Sequence, residues 1–182
     1  MTEKLLFKCT NTSTGIRFTT PSHLFFPGVL VQIFLALVLA GGAYSQPMPP
    51  LKMQLPGNKV FDISEVPKGR PIILIYFDPD CDHCQKLMNE MFKKINQFKK
   101  AQLVFATFKP VNELDSVQKK YNVSKYPNVK MGTENVTYYL RLYYDVTTLP
   151  FTALYDKKGN LNYSYRKETS VDDLIARLRK IQ

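Results

Sequence analysis

Cys81-Asp82-His83-Cys84 stands where the chain changes period, and that junction restricts the fold more than any other feature of the sequence. Before it, Pro71-Ile-Ile-Leu-Ile-Tyr-Phe77 is a near-continuous apolar run rich in β-branched and aromatic residues. Such a run reads as a central strand buried on both faces. Pro71 can open the strand, because only its first position then lacks a donor. After the junction, Leu87, Met88, Met91, Phe92, Ile95 and Phe98 recur at helical spacing, with Lys and Asn on the other face. We read this stripe as core packing. A helix starting at the cysteines offers unpaired N–H groups and the positive end of its dipole to the first sulfur. That favours the thiolate, the form that attacks a disulfide. The spacing puts the second sulfur one turn along, within reach of the first.

The rest of the chain supplies a sheet around this unit. Leu103-Val-Phe-Ala-Thr-Phe108 reads as a second buried strand, so strand, helix and strand form a parallel crossover. A short polar helix is expected near Asn112–Tyr121, then a stretch without defined pattern to about Thr133, then helical spacing across Glu134–Tyr144. Phe151-Thr-Ala-Leu-Tyr155 and Leu161–Arg166 read as antiparallel partners joined by the hairpin loop Asp156-Lys-Lys-Gly-Asn160. Ser170-x-x-Asp173 has the form of a capping box, and Val171, Leu174, Ile175, Leu178 and Ile181 make a terminal amphipathic helix. Upstream, residues 46–58 are a Pro-rich linker running into a short edge strand and a Pro-Gly-Asn turn, with Val60–Val66 returning from it. The sum is an α/β domain over residues 59–182. Its mixed central sheet is parallel at the centre, with an antiparallel hairpin at one edge and helices on both faces.

Residues 1–45 read as an address. No Lys, Arg, Asp or Glu occurs from Phe18 to Leu51, and Gly28–Ala40 is strongly apolar. That run is shorter than the roughly 20 residues of a membrane span. It suits the h-region of a signal peptide, with Lys4, Lys8 and Arg17 before it and Ala43-Tyr44-Ser45 as a cleavage site ahead of Gln46. The long n-region also fits an uncleaved N-terminal membrane anchor. Either way the domain is expected to be exported, to a periplasm or cell envelope, where glutathione does not hold thiols reduced. The formal net charge of +10 comes from 25 Lys and Arg against 15 Asp and Glu. It is dispersed as pairs such as Lys93-Lys94 and Lys157-Lys158, without the clustered stripe of a nucleic-acid binder.

Ile72–Cys84 and the helix behind it resemble the active-site region of the thioredoxin superfamily. With Leu51–Val66 in front, the chain is similar to the envelope-facing redoxins of the TlpA/ResA type. Tyr144-Asp-Val-Thr-Thr-Leu-Pro-Phe151 is similar to the family's cis-proline segment, which makes Pro150 that proline. The resemblance implies a thioredoxin-like fold and a thiol–disulfide oxidoreductase needing no organic cofactor. Cys81 would be the exposed nucleophile, Cys84 the buried resolving thiol, and Leu149-Pro150 the backbone edge facing them. Its partners would be protein disulfides or dithiols, with a membrane or envelope redox partner recharging the pair.

Several positions depart from the family. Asp80 replaces the tryptophan that usually precedes the first cysteine, and Asp82-His83 replaces Gly-Pro between the two. Imidazole at His83 would stabilise the thiolate, whereas Asp78, Asp80 and Asp82 would oppose a further negative charge. The acid that assists the resolving cysteine in thioredoxin would fall near Ile75, which leaves that role vacant or filled elsewhere. The residues themselves leave three other readings open: an inert disulfide, a copper-binding module using His83 as a third ligand, and a redox-inactive adaptor. A disulfide closing a two-residue loop restrains little of the unfolded chain. His23 is the only other histidine, and it lies in the address segment.

Overall fold

Strand pairing starts at the N-terminal hairpin. In the computed structural model, which describes residues 46–182, β1 (Lys52–Leu55) and β2 (Lys59–Asp62) pair antiparallel. Gly57 and Asn58 turn the chain between them with φ of 77° and 57°. Glycine and asparagine are the residues that adopt this left-handed backbone at least cost. The address assigned to residues 1–45 lies outside the described residues. No helix among the described residues is long and apolar enough to cross a membrane.

The sheet has seven strands in the order β2-β1-β5-β4-β3-β6-β7. At its centre β3 (Ile72–Tyr76), β4 (Gln102–Thr107) and β5 (Val129–Thr133) run parallel. β6 (Phe151–Tyr155) and β7 (Leu161–Arg166) add antiparallel strands on one side. β1 adds another on the far side, through Gln54 opposite Thr133. The strand expected at the edge within residues 46–58 is therefore second from it, and β2 is outermost. Residues 46–51 also lie along the domain: Leu51 is buried, and Pro47 bridges to Asn160.

The helices are α1 (Asp82–Lys93), α2 (Leu114–Lys120), α3 (Tyr139–Tyr143) and α4 (Val171–Ile181). Every residue of β3 is buried, as an all-apolar central strand requires. Its alternate side chains feed two cores. Ile73, Ile75 and Phe77 pack with Cys84, Leu87, Met88 and Met91 of α1 and with Leu174 and Leu178 of α4. Leu74 and Tyr76 pack with Leu140, Tyr144 and Phe151 and with Met53 and Phe61 of the N-terminal hairpin. The helical stripe after the cysteines is thus core. It bends at Lys94 (φ −107°, ψ 20°) and continues as the single 3-10 turn Ile95–Phe98.

Three local expectations change. The stretch before Thr133 holds a full interior strand, β5, whose Val129-Lys-Met-Gly-Thr sequence is short and interrupted by glycine. Helix does not run across Glu134–Tyr144. A 3-10 turn over Asn135–Thr137 and a left-handed Tyr138 (φ 48°) precede α3. Glu134 is buried, and its Oε2 accepts the Leu140 N–H at 2.8 Å. A carboxylate at a helix start satisfies an otherwise orphaned donor. Burial still pushes the Glu134 carboxyl up. The Ser170 motif forms only half of a capping box, with Ser170 Oγ accepting the Asp173 N–H. The Asp173 carboxylate instead accepts from Tyr165 Oη at 2.7 Å and Arg177 Nε at 2.8 Å. A complete capping box occurs at Asp62-Ile-Ser-Glu65.

Gly132 is where β1 comes closest to β5. A Cβ there would lie 2.8 Å from the Gln54 carbonyl oxygen and 3.0 Å from Met53 Cβ. Alanine ordinarily gains a little over glycine in a strand, but a backbone carbonyl fixed in a sheet cannot yield. Gly132→Ala is expected to cost about 1–3 kcal/mol of stability, as overpacking does. An unchanged denaturant midpoint would show that the hairpin can shift away.

Candidate active site

The loop between β3 and α1 is built to present one cysteine and hide the next. Cys81 is the N-cap residue of α1, with extended backbone (φ −88°, ψ 120°), and its carbonyl accepts the first helical bond from Gln85 N at 2.9 Å. Its side chain is half-buried, while Cys84, inside the first turn, is fully buried among the α1 core residues. Both are free thiols in this structure. Burial pushes the Cys84 thiol up to about 12, and the neighbouring Cys81 sulfur adds to the effect. A backbone hydrogen bond from Asp78 works against it. The two sulfurs therefore sit in unequal surroundings, one at the mouth of the helix and one sealed beneath it.

Asp82 and His83, on the outward side of the first turn, are exposed. Across from them the Leu149-Pro150 peptide bond is cis. Pro150 is buried and Leu149 half-buried. His83 and Pro150 border one groove of about 400 Å³, which continues past Leu87, Tyr165 and Lys167. The structure thus brings Cys81, His83 and Pro150 to one end of the sheet, beyond the C-terminal ends of its parallel strands. Open α/β sheets bind ligands at that end. Asp82 does not border the groove.

The acidic loop ahead of Cys81 is more constrained than its sequence suggests. Asp78 Oδ1 accepts the Asp80 N–H at 2.9 Å, and the Asp78 carbonyl accepts the Cys81 N–H at 3.1 Å. Gln85 Nε2 donates to the Pro79 carbonyl at 2.8 Å. Lys109, just past β4, reaches over with its Nζ 2.7 Å from Asp80 Oδ2 and 3.7 Å from Asp78 Oδ1. Sequence reading missed Lys109. The signal was the parallel register: Tyr76 lies opposite Ala106, which carries residues 78–80 and 109 out at the same end of the sheet. Ile75, where thioredoxin has its acid, is simply buried. Among the described residues no group of three or more His, Cys, Asp or Glu side chains could hold a metal ion.

A parallel β–α–β core bearing a C-x-x-C at the start of its helix, an antiparallel β6–β7 pair and a cis-proline facing the motif define a thioredoxin-fold redoxin. The profile of the Thioredoxin-like domain family matches residues 64–182, and the chain belongs to that family. Among curated proteins it is similar to a protein disulfide isomerase-like protein of Oryza sativa (japonica), 39% identical over 66 residues. That match covers 36% of this chain and 18% of the relative, so the chain spans less than a fifth of the curated relatives it matches. Among solved structures, a putative thioredoxin of Neisseria meningitidis superposes with a TM-score of 0.62 at 16% identity, covering 75% of this chain and 90% of that one. A secreted disulfide oxidoreductase of Mycobacterium tuberculosis, homologous to E. coli DsbE, gives 0.60 at 18%, covering 72% and 96%. At these identities the superpositions bear on the fold.

Proposed function

We propose that this protein is a thiol–disulfide oxidoreductase that exchanges dithiol for disulfide with client proteins through Cys81 and Cys84. The observation that carries this reading is the unequal pair: a half-buried Cys81 at a helix N-terminus, with a buried Cys84 in the same turn. In the reducing direction, the Cys81 thiolate attacks one sulfur of a client disulfide. The S–S bond breaks, a Cys81–client mixed disulfide forms, and the client's second sulfur leaves as a thiolate that takes up a proton. Cys84 then loses its proton and attacks the Cys81 sulfur. The client departs as a dithiol and Cys81–Cys84 becomes the disulfide, so two electrons have passed from protein to client. The oxidising direction runs these steps backwards. A redox partner in the membrane or envelope would recharge the pair, and residues 1–45 would deliver the domain there as signal or anchor. The pairing of the Oryza relative's name with a matching segment, and the secreted Mycobacterium structure, support this reading.

Asp82 and His83 act as tuning residues, and Leu149-Pro150 as the client-facing edge. Both inter-cysteine side chains are exposed at the helix start, so solvent screens their effect on the thiolate and keeps it modest. Stabilising the thiolate stabilises the reduced pair, so His83 makes the couple more oxidising and Asp82 less so. The couple is expected to lie above thioredoxin's roughly −270 mV and below the roughly −120 mV of the strongest oxidant of the fold. His83→Pro should lower it by some tens of millivolts, where about 30 mV is 1.4 kcal/mol for two electrons, and Asp82→Gly should raise it. Equilibration against glutathione or dithiothreitol measures all three. If His83→Pro leaves the potential unchanged or raises it, His83 is only a solvated helix residue. If the purified protein carries copper or zinc and reduces no disulfide, the metal-binding reading replaces the exchange reading.

A further inference from the structure

We infer that Lys109 is the positioning residue of the Cys81 nucleophile, neutralising the two carboxylates that precede it and fixing the loop that carries it. This rests on the exchange reading above, in which Cys81 works as a thiolate. Asp78 and Asp80 both lie within three residues of that sulfur, and nearby carboxylates disfavour a further negative charge. Left alone, the Asp78-Pro-Asp80 loop would suppress the thiolate that the helix N-terminus favours.

Lys109 removes the conflict by its placement. Its Nζ bonds Asp80 Oδ2 at 2.7 Å and lies 3.7 Å from Asp78 Oδ1, so one cation serves both acids. The lysine side chain is 24% exposed and Asp78 21%, so the longer contact is partly shielded, while Asp80, which takes the shorter bond, is 73% exposed. Lys109 N donates to Thr107 Oγ1 at 3.3 Å, and Thr107 is buried at the end of β4 between β3 and β5. The preceding Phe108 packs on Tyr76 of β3 with ring centroids 6.2 Å apart. The cation is thus delivered by the sheet itself. Its bond to Asp80 in turn holds the lysine in its charged form. Asp78 joins the ionic and backbone roles, because its carbonyl accepts the Cys81 N–H while its carboxylate accepts the Asp80 N–H. Other charged groups near the loop are Asp82, His83, Lys86 and Glu90 on α1, Glu113 and Lys120 toward α2, and Lys167 and Glu168 beyond Pro150. Among the described residues, Lys109 alone pairs with Asp78 and Asp80.

The test follows Cys81 alkylation by iodoacetamide against pH in the reduced full chain, read at the Cys81 peptide by mass. In Lys109→Gln the rate profile should move to higher pH, so that near pH 6 alkylation is about three- to tenfold slower, as expected for unscreening a carboxylate near a thiolate. Lys109→Arg should restore the parental profile, and adding Asp80→Asn to Lys109→Gln should recover most of the rate. Asp80→Asn alone should move the profile to lower pH, which keeps the test open should Lys109→Gln not fold. A purely structural lysine would change the melting temperature without moving these profiles. Superimposable profiles for parent and Lys109→Gln, or no recovery on adding Asp80→Asn, overturn the assignment. Reduction of insulin, run alongside, separates the two readings. Shifted profiles in a protein that reduces no disulfide leave Lys109 in place and remove the exchange reading. Parental exchange with unmoved profiles does the reverse.

Discussion

Cys81→Ser is expected to abolish client reduction, with turnover falling by about 10³-fold or more, as when an enzyme loses its covalent nucleophile. Cys84→Ser should also stop turnover, but at a different point. Its Cys81 remains half-buried at the start of α1 and can still attack, while nothing is left beneath it to break the mixed disulfide. Cells expressing Cys84→Ser should therefore accumulate disulfide-linked client adducts on non-reducing gels, and cells expressing Cys81→Ser should not. The asymmetry follows from burial, since Cys84 is fully enclosed and no client can reach it. Equal trapping by the two variants would refute the assignment of roles. Trapping by neither would favour the adaptor or the metal-binding reading.

A second large effect concerns alkaline stability of the reduced protein. Burial pushes the Cys84 thiol up to about 12 in the folded chain, against an ordinary value of 9.0. Between those values the unfolded chain gives up the proton while the folded chain keeps it. The folded state then binds more protons, so stability falls as pH rises through this window and is unaffected below it. For a single such group the loss at pH 10 is about 1.4 kcal/mol. Tyr76, Tyr144, Tyr155 and Tyr165 are also raised by burial and add their own alkaline slope. Cys84→Ala isolates the cysteine, because it keeps the tyrosines and loses the thiol. The variant starts less stable, with a small cavity, but the gap to the parent should narrow by that amount between pH 8 and 10. Urea midpoints under reducing conditions give the comparison. Parallel curves would mean that Cys84 titrates normally and is not sealed as the structure has it.

Local pattern carried much of the architecture. β3 and α1 were legible because an all-apolar run and a 3.6-residue stripe each encode their burial without reference to the rest of the chain. The β6–β7 hairpin was legible for a similar reason: Gly159 takes φ 82° at the position where the loop sequence offers a glycine. β5 was not legible. Five residues containing a glycine make a weak pattern, and what makes them a strand is hydrogen bonding to β4 and β1, both distant in sequence. The 134–144 segment misled because Val136, Leu140 and Tyr144 keep helical spacing. The buried carboxylate of Glu134 serves the start of α3 from outside it.

At the candidate site, the sequence by itself determined the chemistry on offer: two cysteines one helical turn apart at the end of a buried strand, and a proline segment to face them. The tertiary structure decided the balance of charge around them. Read along the chain, Asp78, Asp80 and Asp82 all oppose a thiolate at Cys81. In the fold, Lys109 arrives from 29 residues beyond Asp80 and pairs with two of the three. The physical reason is range. Periodicity and helix-end effects act over a few residues and can be read from the sequence, whereas a Coulomb interaction depends on distance in space. That distance is set here by the parallel register of β3 against β4.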